Sequence, residues 1–187
     1  STGFDKLPVV DQLGVMMDTS ALAAAGLQPD ADLLDLTAKV AADAPTDLWD
    51  MVAGTLNGID SMFDGDTARQ AAFRGYARSR LSPVLQSLGW DGQEGDSAQT
   101  KELRSSLISI LAALDDAQVI AEAQRRFEAF LAKPDSLSPE LRSSVLGVVA
   151  RNADAATWDK LHTLAKQETS AMVRDQYYGL LALPKDK

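Results

Sequence analysis

The 187-residue sequence predicts an all-α fold, and three observations support that prediction. Apolar residues recur at intervals of three and four through most of the chain, which is the spacing of one helix face. Aspartate, serine and proline precede many of these stretches, in positions that cap a helix or form its first turn. The phrase Glu-Leu-Arg-Ser-Ser occurs at 102–106 and again at 140–144, so part of the chain is duplicated.

The duplicated phrase opens a longer repeat of two helices. Its match continues in three further pairs, which are Ala112 with Ala150, Asp116 with Asp154, and Ala117 with Ala155. A fainter third copy includes Val173, Arg174, Tyr177 and Gly179. Two-helix units that recur after roughly 30–47 residues are typical of helical solenoids. We therefore expect a HEAT/armadillo-like superhelix of antiparallel helix pairs, with about nine helices.

The first predicted helix runs from about Pro8 to Ala25. Pro8 suits a first turn, and Gly26 supplies a C-terminal stop. The apolar stripe of this helix consists of Val9, Leu13, Met16, Met17 and Ala24. Residues 1–5, which precede it, are expected to fray.

Three more helices are predicted before residue 88. Asp30 is expected to cap the second helix, which ends before Pro45, and Thr46 begins the third. A turn at 64–66 leads into a long fourth helix that contains Pro83. A proline in this position is expected to kink the helix or to lie in its last turn.

The pattern changes after residue 88. Residues 89–96 are rich in glycine and aspartate, so we expect a loop there, with Trp90 as its buried anchor. Later helices are expected to begin after Asp116, Ser138, Asp154 and Ser170. We interpret 1–187 as a single helical domain that contains an N-terminal helix cluster at 1–88 and HEAT-like repeats at 96–187.

The charge of the chain is uneven. Residues 1–66 carry twelve aspartates against only Lys6 and Lys39, whereas the rest of the chain is nearly balanced. This acidic balance argues against a nucleic-acid partner, which would require clustered Lys and Arg. No apolar run is long enough to span a membrane, so we expect no membrane partner. We expect a cytoplasmic protein, with the periplasm as the open alternative.

A search for catalytic residues mainly excludes functions. The chain has no cysteine, and His162 is its single histidine, so a zinc site built from two histidines on one helix is ruled out. Helical spacing places His162 beside Trp158 as a structural residue rather than a general base or lone ligand. Ser143 or Ser144 could be combined with His162 as a triad, but no nucleophile-elbow pattern supports it. We expect no catalytic residue and no metal ligand in this chain.

Three arginines occupy the same position in successive repeats: Arg104, Arg142 and Arg174. Such recurrence favours a structural contact between repeats, in which a guanidinium bridges carbonyls or acids of the neighbouring unit. Arg125 and Arg126 flank an apolar stripe on another helix. Their expected role is solvated or interhelical, and binding of a peptide carboxylate is the alternative.

Several segments together resemble one protein family. Residues 13–18 and 21–26 together resemble the start of the C-terminal domain of M1-family zinc aminopeptidases. The resemblance is to the aminopeptidase N and puromycin-sensitive group, which includes the ERAP-type enzymes. Further segments match the same pattern in the same order: Trp49; Leu88, Gly89 and Trp90; Glu94; Leu103 and Arg104; Phe127; Pro139, Leu141 and Arg142; and 148–152 with Asp154 and Trp158.

The resemblance implies a non-catalytic domain. In that family the C-terminal domain is a HEAT-like superhelix that packs on the catalytic domain of the same polypeptide, covers the active-site chamber and limits peptide access. The zinc and the catalytic residues lie in preceding domains, so the resemblance implies no cofactor here. Helical phase suggests Arg125 and Lys160 as peptide-facing residues. Because the third repeat has no second helix, we expect a fragment of a larger enzyme that is inactive alone.

Two other functions remain open at the level of sequence. The first is a stand-alone helical-repeat scaffold that binds a protein partner on its concave face. An upstream two-histidine zinc helix in the same reading frame would exclude it. The second is a small-molecule enzyme with an unrecognised carboxylate site, which a deep acidic pocket with perturbed pKa values would support.

Overall fold

The all-α prediction is confirmed by the computed structural model, which describes residues 3–184. Within that range the chain contains nine α-helices and two short 3-10 helices, at Phe4–Lys6 and Pro134–Ser136, and no strand. The α-helices are α1 (Val9–Ala24), α2 (Asp30–Lys39), α3 (Thr46–Met62), α4 (Thr67–Leu88), α5 (Ala98–Ala113), α6 (Ala117–Ala132), α7 (Pro139–Arg151), α8 (Ala155–Gln167) and α9 (Ala171–Leu180). The superhelical arrangement stays a prediction. The expected fraying at 1 and 2, and the end of the repeat segment at 185–187, lie outside the described residues.

The chain forms two compact units, residues 1–114 and 115–187. In unit 1, α3 is the central helix and packs against α1, α2, α4 and α5. Its inward face is apolar at three- and four-residue spacing, so one stripe of the helix is fully buried. That stripe consists of Leu48, Trp49, Val52, Ala53, Leu56 and Ile59.

Unit 2 is built from α6 to α9. α6 packs against α7, α7 packs against both α8 and α9, and α8 packs against α9. Phe127 and Phe130 contribute the largest apolar side chains of α6 to this core. The other buried residues of unit 2 include Leu137, Leu141, Val145, Val149, Leu161, Ala165 and Tyr177.

Two predicted caps are present, since Asp116 and Asp154 accept backbone N–H groups at the starts of α6 and α8. Asp66, which the sequence places in a turn, accepts one at the start of α4. The prediction that Asp30 caps α2 is wrong, because the N-cap is Pro29 and Asp30 is the first helical residue. A carboxylate in the first turn still interacts favourably with the positive end of the helix dipole. Ser138 and Ser170 occupy N-cap positions, but their side chains make no capping hydrogen bond.

The buried stripe of α1 is narrower than the sequence predicts. Met16 is fully buried, whereas Met17 is 59% exposed. Consecutive helical residues point about 100° apart, so a face as narrow as the one that α1 buries includes Met16 but not Met17. The buried face runs through Gln12, Met16 and Thr19. It leaves the apolar side chains of Val10, Met17 and Leu22 exposed.

Candidate functional site

Arg104 is the most deeply buried charged side chain of unit 1, with 1% exposure. Its guanidinium donates to the carbonyls of Gly89 (2.9 Å) and Leu88 (3.3 Å), where α4 ends. It also donates to the Asp96 carboxylate at 2.5 Å. Hydrogen bonds from one side chain of α5 therefore hold both ends of the loop that joins α4 to α5. Gly89 enters this loop with φ of 68°, a conformation that favours glycine.

The carboxylate partner of Arg104 is held in its ionised form. The backbone N–H of Gln93 donates to Asp96 at 2.9 Å. This hydrogen bond, together with the Arg104 guanidinium, lowers the pKa of Asp96 below its usual value. The 89–97 loop is consequently closed by a charge-assisted hydrogen-bond network. Trp90, the predicted anchor of this loop, is half-buried.

Arg142 of unit 2 occupies the equivalent repeat position but has different surroundings. Its guanidinium carbon lies 5.1 Å from the centroid of the Phe130 ring, a cation–π arrangement. Its Nε is buried and has no acceptor among the described residues. Burial raises the pKa of the Tyr177 hydroxyl, and the nearby Arg142 partly opposes that shift. The third arginine of the series, Arg174, is half-buried in α9. A contact of these arginines between repeats stays a prediction.

Arg125 belongs to an acid-base cluster on α6. Its guanidinium makes two hydrogen bonds of 2.7 Å to the Glu122 carboxylate, which also accepts from Arg126 at 2.8 Å. Both arginines lower the pKa of Glu122, and the hydrogen bond from Arg125 has the larger effect. Arg125 nevertheless keeps 65% of its side chain exposed, whereas Arg126 keeps 12%. Of the two, Arg125 is therefore the one available to a ligand in solvent.

The structure brings Lys160 to the same side of α6. Its Nζ lies 2.6 Å from the Glu128 carboxylate, which links α8 to α6. Glu128 follows Arg125 by three residues, so the two share one face of α6. Arg125 and Lys160 thus lie on neighbouring parts of unit 2. Their contact with peptides stays a prediction.

His162 has an aromatic environment. Its ring centroid lies 5.0 Å from that of Trp158 and 6.2 Å from that of Tyr178. Trp158 Nε1 donates to the Leu181 carbonyl and so ties α8 to the end of α9. This packing explains the histidine without a catalytic role.

Sequence reasoning missed a second polar cluster, formed by Arg80 and Trp49 in unit 1. The Arg80 guanidinium carbon lies 5.3 Å from the Trp49 ring centroid. Its Nη2 donates to the carbonyls of Thr37 and Val40, each at 3.0 Å. Nothing in the sequence marks Arg80, since Arg74 and Arg78 precede it on the same helix and only tertiary packing gives each its partner.

Neither a cluster of possible metal ligands nor a membrane-spanning helix is found within 3–184. That part of the chain contains no group of three or more His, Cys, Asp or Glu side chains arranged to hold a metal ion. None of its helices is both long and apolar enough to cross a membrane.

Comparison with known proteins gives consistent matches along the chain. The family described as the ERAP1-like C-terminal domain matches residues 1–187. Aminopeptidase 2 of Candida albicans is 29% identical over 168 residues, which are 88% of this chain and 18% of that protein. Glutamyl aminopeptidase of Rattus norvegicus is 28% identical over 177 residues, 92% of this chain and 18% of the relative. The mitochondrial aminopeptidase 2 of Saccharomyces cerevisiae is 24% identical over 163 residues, 86% of this chain and 17% of the relative.

Proposed function

This chain belongs to the ERAP1-like C-terminal domain family, and we propose that it forms a non-catalytic wall beside the active-site chamber of an M1 zinc aminopeptidase. The observation that carries the proposal is the extent of the match. The family covers residues 1–187, while the chain spans about a fifth of the length of the aminopeptidases that it resembles. In this proposal, peptide hydrolysis and the zinc ion belong to the remainder of the parent polypeptide.

The proposed mechanism is steric and electrostatic. Helices packed around apolar cores resist deformation, because protein interiors are close-packed. Such a wall narrows the chamber opening and admits some peptides more readily than others. Arg125 and Lys160 contact the part of a bound peptide that is distant from the scissile bond. Their ion pairs with Glu122 and Glu128 orient the two cations, and the exposed fractions of 65% and 45% leave them accessible.

The proposed main partner is the catalytic domain of the same polypeptide. The exposed apolar residues of α1 and the turn after it support such a contact: Val10, Met17, Leu22 and Leu27 are 78%, 59%, 42% and 76% exposed. Val10 and Met17 are seven residues apart and share one face of α1, and exposed apolar side chains that lie together mark an interaction surface more often than isolated ones do. The cytoplasmic location, with the periplasm as alternative, stays a prediction.

The peptide-facing role can be tested in the parent enzyme. We expect Arg125→Ala combined with Lys160→Ala to change kcat/KM for peptides of eight to ten residues by about threefold to tenfold, the size of one or two exposed charge contacts. Cleavage of a one-residue aminoacyl reporter should stay unchanged, because the reporter does not reach the wall. Arg69→Ala is the matched control, since Arg69 is an exposed cation of unit 1 with a similar ion pair to Asp66.

Equal changes for long peptides and for the reporter would contradict the access role and indicate a general structural defect.

The chain by itself gives a second test. We expect no zinc-dependent cleavage of the aminoacyl reporter by the purified 187-residue chain. Measurable zinc-dependent turnover would overturn the non-catalytic assignment.

A further inference from the structure

A cavity of about 470 Å³ in unit 1 has no role in the proposed function. It is lined by the connection between α2 and α3, by the start of α3, by α4, and by Leu103 of α5. The volume lies within the range of small-molecule sites. Most of its wall is apolar, with Ala42, Pro83, Val84 and Leu88 among the lining residues. The polar lining is contributed mainly by Trp49, Arg80 and a few hydroxyl groups.

Two hydrogen-bond donors of this wall have no acceptor among the described residues. They are Nε1 of Trp49 and Nε of Arg80, and both nitrogens are buried. Trp49 as a whole is 2% exposed. Buried N–H groups in folded proteins almost always have a partner, and each missing hydrogen bond is costly. Both side chains line the cavity, but neither nitrogen is accessible from it, so an acceptor from outside the chain can bond to them only after a side-chain shift.

Arg80 also has no carboxylate partner in the part of the chain that the structure describes. Two other buried or half-buried arginines of unit 1 have carboxylate partners: Arg74 pairs with Asp60 at 2.8 Å, and Arg104 pairs with Asp96. Within 3–184, Arg80 donates to the neutral carbonyls of Thr37 and Val40, and the half-buried Arg78 likewise donates to a carbonyl. A half-buried guanidinium without a counter-charge favours an anion, and a carboxylate matches it best.

Two further features, the start of α3 and Asp43, affect the electrostatic potential in the cavity. The start of α3 adds positive potential, since its N-cap is Pro45 and no side chain caps its free N–H groups. Asp43 opposes an anion, but it lies exposed at the cavity edge, where solvent and salt screen it. The electrostatic potential at the inner wall of the cavity therefore remains positive, although unit 1 is acidic as a whole.

We propose that this cavity binds a small monocarboxylate with a short apolar body. The carboxylate accepts hydrogen bonds from Arg80 Nε and Trp49 Nε1, and the apolar part contacts Val84, Leu88 and Leu103. Since neither nitrogen is exposed to solvent, binding includes a shift of the flexible Arg80 side chain toward the ligand. The site is independent of the proposed peptidase role, because it uses none of the peptide-facing residues.

The probe is sodium hexanoate, titrated into the ¹⁵N-labelled 187-residue chain at constant ionic strength. The three tryptophans give three indole N–H signals in NMR spectra, and Trp49→Phe identifies the one from Trp49. We expect that signal to shift saturably, with a dissociation constant on the order of 1 mM for a ligand of this size. The neutral analogues hexanol and hexanamide should bind at least fivefold more weakly, because they bring no charge to Arg80.

Two variants connect the binding to its donors. We expect Arg80→Lys, which keeps the charge but loses Nε, to raise the dissociation constant about tenfold. Arg78→Lys is the matched control, since Arg78 lies on the same helix, donates to the Leu114 carbonyl and does not line the cavity. It should change binding less than twofold. The proposal is overturned by the absence of a saturable shift, by equal binding of hexanol and hexanoate, or by unchanged affinity in a folded Arg80→Lys variant. The comparison of the three ligands with the unsubstituted chain decides the matter if that variant does not fold.

Discussion

The two copies of the Glu-Leu-Arg-Ser-Ser phrase have the same sequence and different partners. In unit 1, Arg104 is buried against two carbonyls and the Asp96 carboxylate, while its Nη1 has no acceptor within 3–184. In unit 2, Arg142 lies over the Phe130 ring and near Tyr177, and its Nε has no acceptor among the described residues. The segment before each helix makes the difference. The loop before α5 supplies an aspartate and two free carbonyls, whereas the turn before α7 begins with a short 3-10 helix.

The repeated arginine therefore has the same helix position in both units, but its contribution to stability differs between them. A buried guanidinium with a carboxylate and carbonyls is costly to remove, because it leaves those groups unpaired. Removing Arg142 takes a cation from the Phe130 ring and a hydrogen-bond partner from the Tyr177 hydroxyl, but it leaves no carboxylate unpaired. Substitutions at the two positions should therefore have effects of different size. Four predictions follow, from the largest expected effect to the smallest.

The largest effect is expected for Arg104→Met. Methionine fills a similar volume but leaves Asp96 and the carbonyls of Leu88 and Gly89 without their donor. We expect the free energy of unfolding, measured in urea, to fall by about 3 kcal/mol. A loss below about 1 kcal/mol would mean that water replaces the guanidinium at little cost, and the contrast with Arg142 would then disappear.

A smaller loss is expected for Asp96→Asn, because the two carbonyl bonds of Arg104 remain. This substitution also tests pH dependence. The pKa of Asp96 is lowered in the folded state, so its ionised form stabilises the fold above the unfolded pKa of about 4. That contribution is lost as the pH falls through the lower, folded pKa. The stability difference between the unsubstituted chain and Asp96→Asn should therefore shrink between about pH 5 and pH 2. A constant difference over this range would contradict the ionised partner.

Arg142→Met should cost about 1 kcal/mol or less. The contacts with the Phe130 ring and the Tyr177 hydroxyl are lost, but so is a buried N–H group that has no acceptor, and these effects partly cancel. The measurement is the same urea titration used for Arg104→Met. A loss as large as that of Arg104→Met would show that Arg142 has a stronger partner, such as the contact between repeats that the sequence predicts.

The smallest effect is expected for Arg125→Ala. Its ion pair with Glu122 lies in solvent, and Glu122 keeps its bond to Arg126. The free energy of unfolding should change by no more than about 0.5 kcal/mol. If stability is unchanged while cleavage of long peptides by the parent enzyme is altered, a role in peptide contact is favoured over one in folding. A large loss of stability would reverse that conclusion.

The sequence by itself determined the helices, some of their caps and the family. Helical periodicity identified the nine α-helices found within 3–184, and Thr46, Asp116 and Asp154 marked helix starts correctly. The ordered series of segments from Leu13 to Trp158 was enough for a resemblance that the family match confirmed. These features are local, because a helix depends on residues three and four apart and on its own ends.

Only the tertiary structure decided which side chains became partners. Met17 is exposed although it belongs to an apolar stripe, because the neighbours of α1 cover one narrow face. Arg80 and Trp49 meet across 31 positions of sequence, and no local pattern announces that contact. The different surroundings of Arg104 and Arg142 likewise depend on the loops brought to them. Partner choice is a long-range property, so identical sequence phrases can acquire different chemistry when the chain packs.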